Sequence, residues 1–291
     1  MSKKHPVIAV TGSSGAGTTT VKRAFEHIFR REKLEPAIVE GDSFHSLDRK
    51  AFKEAVAKAE KAGKRAPSHF GPEANHFDKI EQMFRDYGEK GVCQRRYYLH
   101  NDEEAAPYKQ ESGTFTPWKA IGKGSDLLFY EGLHGGVVTD TVDMAKYVDL
   151  LIGVVPIVNL EWIQKIHRDC AERGYSAEAV TDTILRRMHD YVHYITPQFS
   201  RTNVNFQRVP TVDTSNPFIT RDIPTPDESF IVIRFRDAKH VDFPYLLCMI
   251  HDSFMSRPNT IVVPGGKMGF AMEVILTPLI EDMVNHKKRS K

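Results

Sequence analysis

Near its start the chain reads "VTGSSGAGTTTVKRAF", Val10 to Phe25, and this stretch constrains the fold more than any other. The run "PVIAVTG" before it is short and apolar, as a buried strand requires. After it, Val21, Ala24, Phe25, Ile28 and Phe29 recur at helical spacing. A strand must therefore turn sharply into a helix across glycines at 12, 15 and 17. Such a turn aims backbone N–H groups and a helix N-terminus at one point, where an anion is favoured. The spacing is that of a phosphate-binding loop, Gly, four residues, Gly, Lys, then Ser or Thr, with Thr18 in the lysine position and Thr19 in the last. The alternative is a structural Gly/Ser turn that binds nothing.

The rest of the chain alternates in the same way. "AIVEGD", "DLLFYEG" (126–132), "DLLIGVVP" (149–156), "ESFIVIRFRD" and "NTIVVPGG" read as strands. Residues 48–63, 159–173, a run after Ser176 stopped by Pro197, and 267–286 read as helices. Apolar runs without alternation suit strands covered on both faces. The expected fold is α/β, a mixed and mostly parallel sheet with helices on both faces in three layers, in one domain over 1–291. The segment 88–125 reads as long surface loops, and the basic tail "NHKKRSK" as a solvated end.

Net charge is +2, too balanced to make nucleic acid the main partner. No apolar run approaches the ~20 residues of a membrane span, and no signal-peptide core follows the N-terminus. Cys93, Cys170 and Cys248 are far apart, with no metal or disulfide spacing, so a reducing compartment and a cytoplasmic location are expected.

Three further groups carry chemistry. In "EGDSFHSLDR", Asp42 follows directly on a strand, with His45 and Arg49 close behind. Ligands of open α/β sheets bind at the carboxyl ends of strands, where a carboxylate can take a hydroxyl proton and Arg can grip an anion. Taken alone, Asp42 also reads as a turn aspartate and His45 as a packed imidazole. In "LLFYEGLHGG", Glu131 ends an apolar strand, as a carboxylate that holds Mg²⁺ does, or as a capping residue. His134 and the glycines after it read as a tight turn without chemistry. In "NLEWIQKIHRDCAERG", Leu160, Ile163, Ile166 and Cys170 form an apolar stripe. Lys165, Arg168 and Asp169 share another face, with Arg173 nearby. This is either a solvated face or a helix that brings cations to a transferring phosphoryl group, replacing the lysine absent at Thr18.

Together "VTGSSGAGT", "EGDSFH", "FYEGLHG", "NLEWIQKIHRD", "NFQRVPTVDTSNPF" and "IVVPGGKM" resemble the bacterial phosphoribulokinase family over roughly residues 5 to 280. The resemblance implies a P-loop kinase-like fold and ATP-dependent phosphorylation of D-ribulose 5-phosphate at the C1 hydroxyl, in the Calvin cycle. It implies that Asp42 is the base, Glu131 and Asp169 are acidic catalytic residues that act through Mg²⁺ together with Thr19, and Lys165 steadies the transferring group. Gly12, Ser13, Ser14, Gly15, Ala16, Gly17, Thr18, Thr19 and Thr20 would hold ATP, and His45, Arg49, His100, Arg168 and Arg173 the sugar phosphate. Members of the family are homo-oligomers, often octamers, activated by NADH and inhibited by AMP; Arg31, Arg234 and Arg257 match arginines tied to that control. The plant-type disulfide switch is not implied, because the loop carries no cysteine. Three other readings stand beside this one: a related kinase acting on an acceptor such as uridine or pantothenate, a homologue from an organism without a Calvin cycle that keeps these motifs for another substrate, and a non-catalytic nucleotide sensor.

Overall fold

Residues 5–12, 18–220 and 222–289 are described in a computed structural model of the chain, apart from the side chains of 18, 19, 173 and 286–289. Ser13, Ser14, Gly15, Ala16 and Gly17, the centre of the expected phosphate loop, lie outside the described residues. The strand before the loop is β1 (Val7–Gly12), and the helix after it is α1 (Thr18–Arg31). The chain continues through β2 (Pro36–Glu40), α2 (Arg49–Lys61) and α3 (Phe77–Lys90). A short ribbon, β3 (Cys93–Arg95) with β4 (Lys119–Ile121), encloses α4 (Asp102–Ala105). Then come β5 (Leu127–Gly132), β6 (Leu150–Pro156), α5 (Val158–Arg173) and α6 (Ala177–Asp190). The last elements are β7 (Val204–Pro210), β8 (Ser229–Phe235), α7 (Phe243–Met249), β9 (Phe254–Arg257), β10 (Thr260–Pro264) and α8 (Met268–Arg289).

Eight strands form one sheet in the order β2-β5-β1-β6-β7-β8-β10-β9. The first five are parallel and the last three antiparallel, so the sheet is mixed and mostly parallel as expected. β1 lies between β5 and β6, with Ala9 paired to Tyr130 on one side and to Leu151 on the other. Every residue of β6 is buried, because helices cover both faces. On one face α1 and α8 pack together: Phe25, Ile28, Met272 and Leu276 meet Phe129, Ile152 and Ile233 in one core. Each fully buried apolar side chain of this kind contributes roughly 1.5–3 kcal/mol. On the other face Ile80, Phe84 and Tyr87 of α3 pack on Ala9, Val39 and Tyr130. α5 and α6 form a hairpin over Ile166, Val180 and Ile184. Gly174, at φ 69°, ends α5 in the left-handed conformation that glycine adopts without cost. Among the described residues no helix is long and apolar enough to cross a membrane.

The fold departs from the sequence expectation in three places. Segment 88–125 is not surface loop throughout: it completes α3, holds the β3–β4 ribbon and α4, and buries Cys93, Leu99 and Ala105. The helix after Ser176 does not run unbroken to Pro197. α6 ends at Asp190 and passes into a wider turn at Tyr191–Ile195 and a tighter one at Thr196–Ser200. Pro197 sits in the first turn of that last segment, where its missing N–H is not needed. The strand β7 and the helices α3 and α7 were not expected from the sequence.

Candidate active site

The carboxyl ends of β1, β2 and β5 open on one edge of the sheet, beside the point where the chain crosses from β5 past β1 to β6. Such a crossover leaves a crevice that the fold cannot fill with its own strands. Gly12 lies at the end of β1, and Thr20 lies in the first turn of α1. The side chains of Thr18 and Thr19 are outside the described residues.

Asp42 sits in a tight turn, Gly41–Phe44, immediately after β2. Gly41 allows that turn to lie against the next strand. A Cβ there would stand 2.6 Å from the Tyr130 hydroxyl and 2.9 Å from the Gly132 Cα. Gly41→Ala is therefore expected to push the Asp42 turn off β5 and to cost about 1–3 kcal/mol of stability. Thermal unfolding and kcat measured together test this: an unchanged Tm with full activity would contradict it.

The Asp42 carboxylate is 46 % exposed and faces imidazoles on two sides. His45 Nε2 lies 3.4 Å from Oδ1, and His100 Nε2 lies 3.9 Å from Oδ2. Burial raises the Asp42 pKa, but the hydrogen bond and charge of His45, with the charges of His100 and His69, outweigh it and hold the group at about 2. Two further imidazoles stand behind this pair, His69 partly buried and His134 buried. His69 stacks on Phe52 at 4.0 Å and lies 4.4 Å from His45. His134 meets the Phe70 carbonyl at 3.1 Å. Burial first, and then the charge of His45, depress both to about 3, so both are neutral at pH 7. His134 is thus part of the polar floor under Asp42, although its sequence context suggested only a turn.

Arg49 begins α2, where Asp48 caps the helix by accepting from Ala51 N. Its guanidinium holds the His100 carbonyl at 2.7 Å and its own N–H donates to Gly113 O, which draws segment 97–115 over the Asp42 turn. Arg96, which sequence reasoning missed, donates to Ser43 O at 2.7 Å and to His45 O at 2.6 Å. It lies over the rings of Phe115 and Trp118, and burial lowers its pKa to about 10. The turn carrying Asp42 and His45 is therefore gripped by its backbone from the β3–β4 side.

Glu131 pairs in register with Glu40 across β5 and β2. Burial, then the charges of Asp42 and Glu40, raise its pKa to about 7, against a smaller opposing effect of Lys22. Carboxylates crowded in this way gain from a cation. On α5, Asp169 takes Lys165 at 2.5 Å and Arg168 at 3.1 Å. Lys165 is 14 % exposed and Asp169 6 %, so this is not a solvated face. Burial lowers the Lys165 pKa, and Asp169 opposes that shift. Arg187 of α6 acts electrostatically on both Lys165 and His69, and His69 acts on Asp42, which links the α5 pair to the Asp42 turn. The Arg173 side chain is outside the described residues.

The edge is pinned by Gln198, fully buried in the turn after α6. Its oxygen accepts from Thr11 Oγ1 at 2.9 Å and from Gly136 N at 2.8 Å. Its amide nitrogen donates to Leu133 O at 2.8 Å and Tyr194 O at 2.7 Å. One side chain thus fixes β1 and the segment after β5 to the turns that follow α6.

The sequence profile described as "Phosphoribulokinase / Uridine kinase family" matches residues 7–215. This chain belongs to that family. A chromosomally encoded phosphoribulokinase of Cupriavidus necator is 63 % identical over 290 residues, all of this chain and 99 % of that one. A phosphoribulokinase of Nitrobacter vulgaris is 60 % identical over the full length of both. Among solved structures, phosphoribulokinase from Rhodobacter spheroides shares 56 % identity and superposes with a TM-score of 0.91, covering 98 % of this chain and 99 % of that one. The fold of this chain is therefore the family's, and Asp42, Glu131, Lys165 and Asp169 all lie within the matched residues.

The three arginines that the family resemblance ties to control lie on α1, β8 and β9. Arg31, at the end of α1, pairs with Glu32 and with Thr277 of α8. Arg234 on β8 and Arg257 on β9 both pair in register with Thr260 of β10, and Arg234 donates to Phe199 O. The three cysteines Cys93, Cys170 and Cys248 are free.

Proposed function

We infer that this chain is an ATP-dependent kinase that phosphorylates D-ribulose 5-phosphate at the C1 hydroxyl, giving D-ribulose 1,5-bisphosphate and ADP. The observation that carries this reading is the likeness, at 60–63 % identity and end to end, to enzymes named phosphoribulokinase. The cluster of Asp42 with His45, His100 and Arg49 supports it, since a carboxylate ringed by cationic and imidazole groups suits an anionic sugar with a hydroxyl to deprotonate. A non-catalytic sensor or a kinase for a neutral acceptor such as uridine has no comparable support.

In the proposed mechanism ATP lies with its phosphates along residues 12–20. Ribulose 5-phosphate lies against His45, Arg49 and His100, with Arg168 and Arg173 also assigned to its binding. Asp42 takes the C1 proton, and Lys165 balances charge on the γ-phosphate that Thr18 leaves uncompensated. Among the described residues no group of three or more His, Cys, Asp or Glu side chains forms a metal cage. Mg²⁺ is commonly held by one or two carboxylates plus substrate phosphates, and the crowded Glu131, with Asp169 and Thr19, fits that role. When bound, Mg²⁺ would neutralise phosphate charge.

The reading extends to one domain over 1–291, supported by a single sheet whose strands run from Val7 to Pro264. It also extends to a cytoplasmic homo-oligomer of the Calvin cycle, controlled by NADH through Arg31, Arg234 and Arg257. ADP release measured with ribulose 5-phosphate, uridine and pantothenate, with and without NADH, tests it. We expect kcat/KM for ribulose 5-phosphate to exceed the others by roughly 10⁴-fold, and NADH to raise turnover. Equal rates with uridine would overturn the acceptor, and no response to NADH would overturn the control.

A further inference from the structure

Asn75 lies in "SHFGPEANHF", a segment to which the mechanism above gives no part. It is 5 % exposed, and its backbone is bridged to that of His45. Ser46 N donates to Ala74 O and His76 N to Phe44 O, both at 2.9 Å, so the two segments are held side by side. The Asn75 amide nitrogen faces two carbonyls, His69 O at 2.9 Å and Gly71 O at 2.7 Å. Only an NH₂ group can satisfy both, because a flipped amide would set oxygen against oxygen. The amide oxygen must therefore be the atom 2.8 Å from His45 Nδ1, and Nδ1 must carry a hydrogen. A neutral imidazole has one hydrogen, so Nε2 is left as an acceptor. That nitrogen is the one 3.4 Å from Asp42 Oδ1. Neutral His45 and ionised Asp42 thus set acceptor against acceptor and lack one proton.

The geometry points to Asn75 as a positioning residue for phosphoryl transfer: it holds neutral His45 in the Nδ1–H tautomer, so that the Asp42–His45 pair takes up the acceptor hydroxyl's proton as a unit. The hydroxyl O–H bond breaks, and its electron pair forms the bond to the γ-phosphorus. The proton passes to Asp42 Oδ1 and is shared with His45 Nε2. The bond from the γ-phosphorus to the bridging oxygen breaks, and that electron pair leaves on ADP. A carboxylate alone is a weak base at neutral pH. The missing proton of the pair supplies the driving force that the lone carboxylate lacks. This inference rests on the assignment of Asp42 as the base.

The charged and titratable groups around His45 come from every neighbouring segment. They are Asp42 on its own turn, His69 before Asn75, His134 after β5, and Arg96 and Tyr98 from the ribbon, with His100 on the far side of Asp42 and Arg187 beyond His69. Burial depresses His69 and His134 to about 3, so neither changes charge near pH 7. Acid that fills the Asp42–His45 pair with its proton before the hydroxyl arrives lowers activity.

The test uses the full-length protein labelled with ¹⁵N-histidine, with His45→Gln identifying the His45 signals by their loss. At alkaline pH, wild-type His45 is expected to show a protonated Nδ1 and a bare Nε2. In Asn75→Leu the ring is free to turn its hydrogen toward Asp42, so kcat drops by about 10²-fold and the acid limb of kcat/KM flattens. Asn75→Asp keeps the acceptor and adds charge. It is expected to retain most of the kcat while moving the acid limb up by roughly one pH unit. An Nε2–H tautomer in the wild type, or wild-type acid limbs in both variants, would overturn the inference. If Asn75→Leu does not fold, the wild-type spectrum and Asn75→Asp decide. A normal rate in Asp42→Asn would instead remove the base assignment and leave the measured tautomer standing.

Discussion

Asp42→Asn is expected to lower kcat by about 10²–10⁴-fold, the ordinary worth of a placed general base, or roughly 2.7–5.4 kcal/mol of transition-state stabilisation. The substitution keeps the volume and both polar atoms of the side chain. The new amide can still meet His45 with whichever of its two polar atoms the ring requires, and Arg96 still holds the turn through Ser43 O and His45 O. Circular dichroism and Tm should therefore stay near wild type, and KM for ribulose 5-phosphate should change by much less than kcat. The result isolates chemistry from binding, because Arg49 and His100, also assigned to the acceptor, are untouched. A folded variant with normal turnover would show that the proton leaves by another route.

The parts of this fold that were legible in the sequence are those where one local signal decides the structure. β1, β5 and β6 are apolar runs with no alternation, and burial on both faces is the direct physical consequence. The α5 stripe of Leu160, Ile163 and Ile166 is legible for the same reason, and all three are buried. α3 carried an equally plain signal in Phe77, Ile80, Phe84 and Tyr87, which a reading centred on motifs passed over. β7 was hidden because Asn205 and Gln207 alternate with Val204 and Phe206 and Arg208 is polar too, so only two of these five residues join the core. Segment 96–118 is polar and rich in turns, so composition suggests a loop. Its order comes from distant partners instead: Arg96 on the Asp42 turn, Arg49 on His100 O, and Gly113 against Arg49.

The site follows the same division. Asp42, Glu131 and Asp169 stand out because each closes a strand or faces a helix pattern. Arg96, Asn75, His69 and Gln198 do not, since each acts on residues roughly 25 to 190 positions away and nothing local marks them. The raised pKa of Glu131 is of this kind too. It needs the register that sets Glu40 beside it and the turn that brings Asp42 near, neither of which the order of residues alone displays.

Lys165→Met is the sharper test of how the chain manages without a loop lysine. Lys165 is nearly buried and bound to Asp169 at 2.5 Å, so its charge is held in place before any ligand arrives. Placed donors of that kind act chiefly on charge that develops in the transition state, and removing one costs about 10²–10³ in kcat. Methionine keeps the length and apolar stem of lysine and removes only the ammonium. We expect kcat to fall by that factor, with the Kd for ATP, read by a fluorescent nucleotide analogue, changing by only a few-fold. Loss of Asp169 itself would be more damaging, since Lys165 and Arg168 would both lose the carboxylate that orders them. The Lys165→Met variant keeps Arg168 on Asp169, which guards the helix against an unpaired buried charge. A large rise in the Kd for ATP with kcat unchanged would mean that Lys165 serves ground-state binding. The positive charge absent at Thr18 would then have to come from another group, such as Arg168, Arg173 or Arg187.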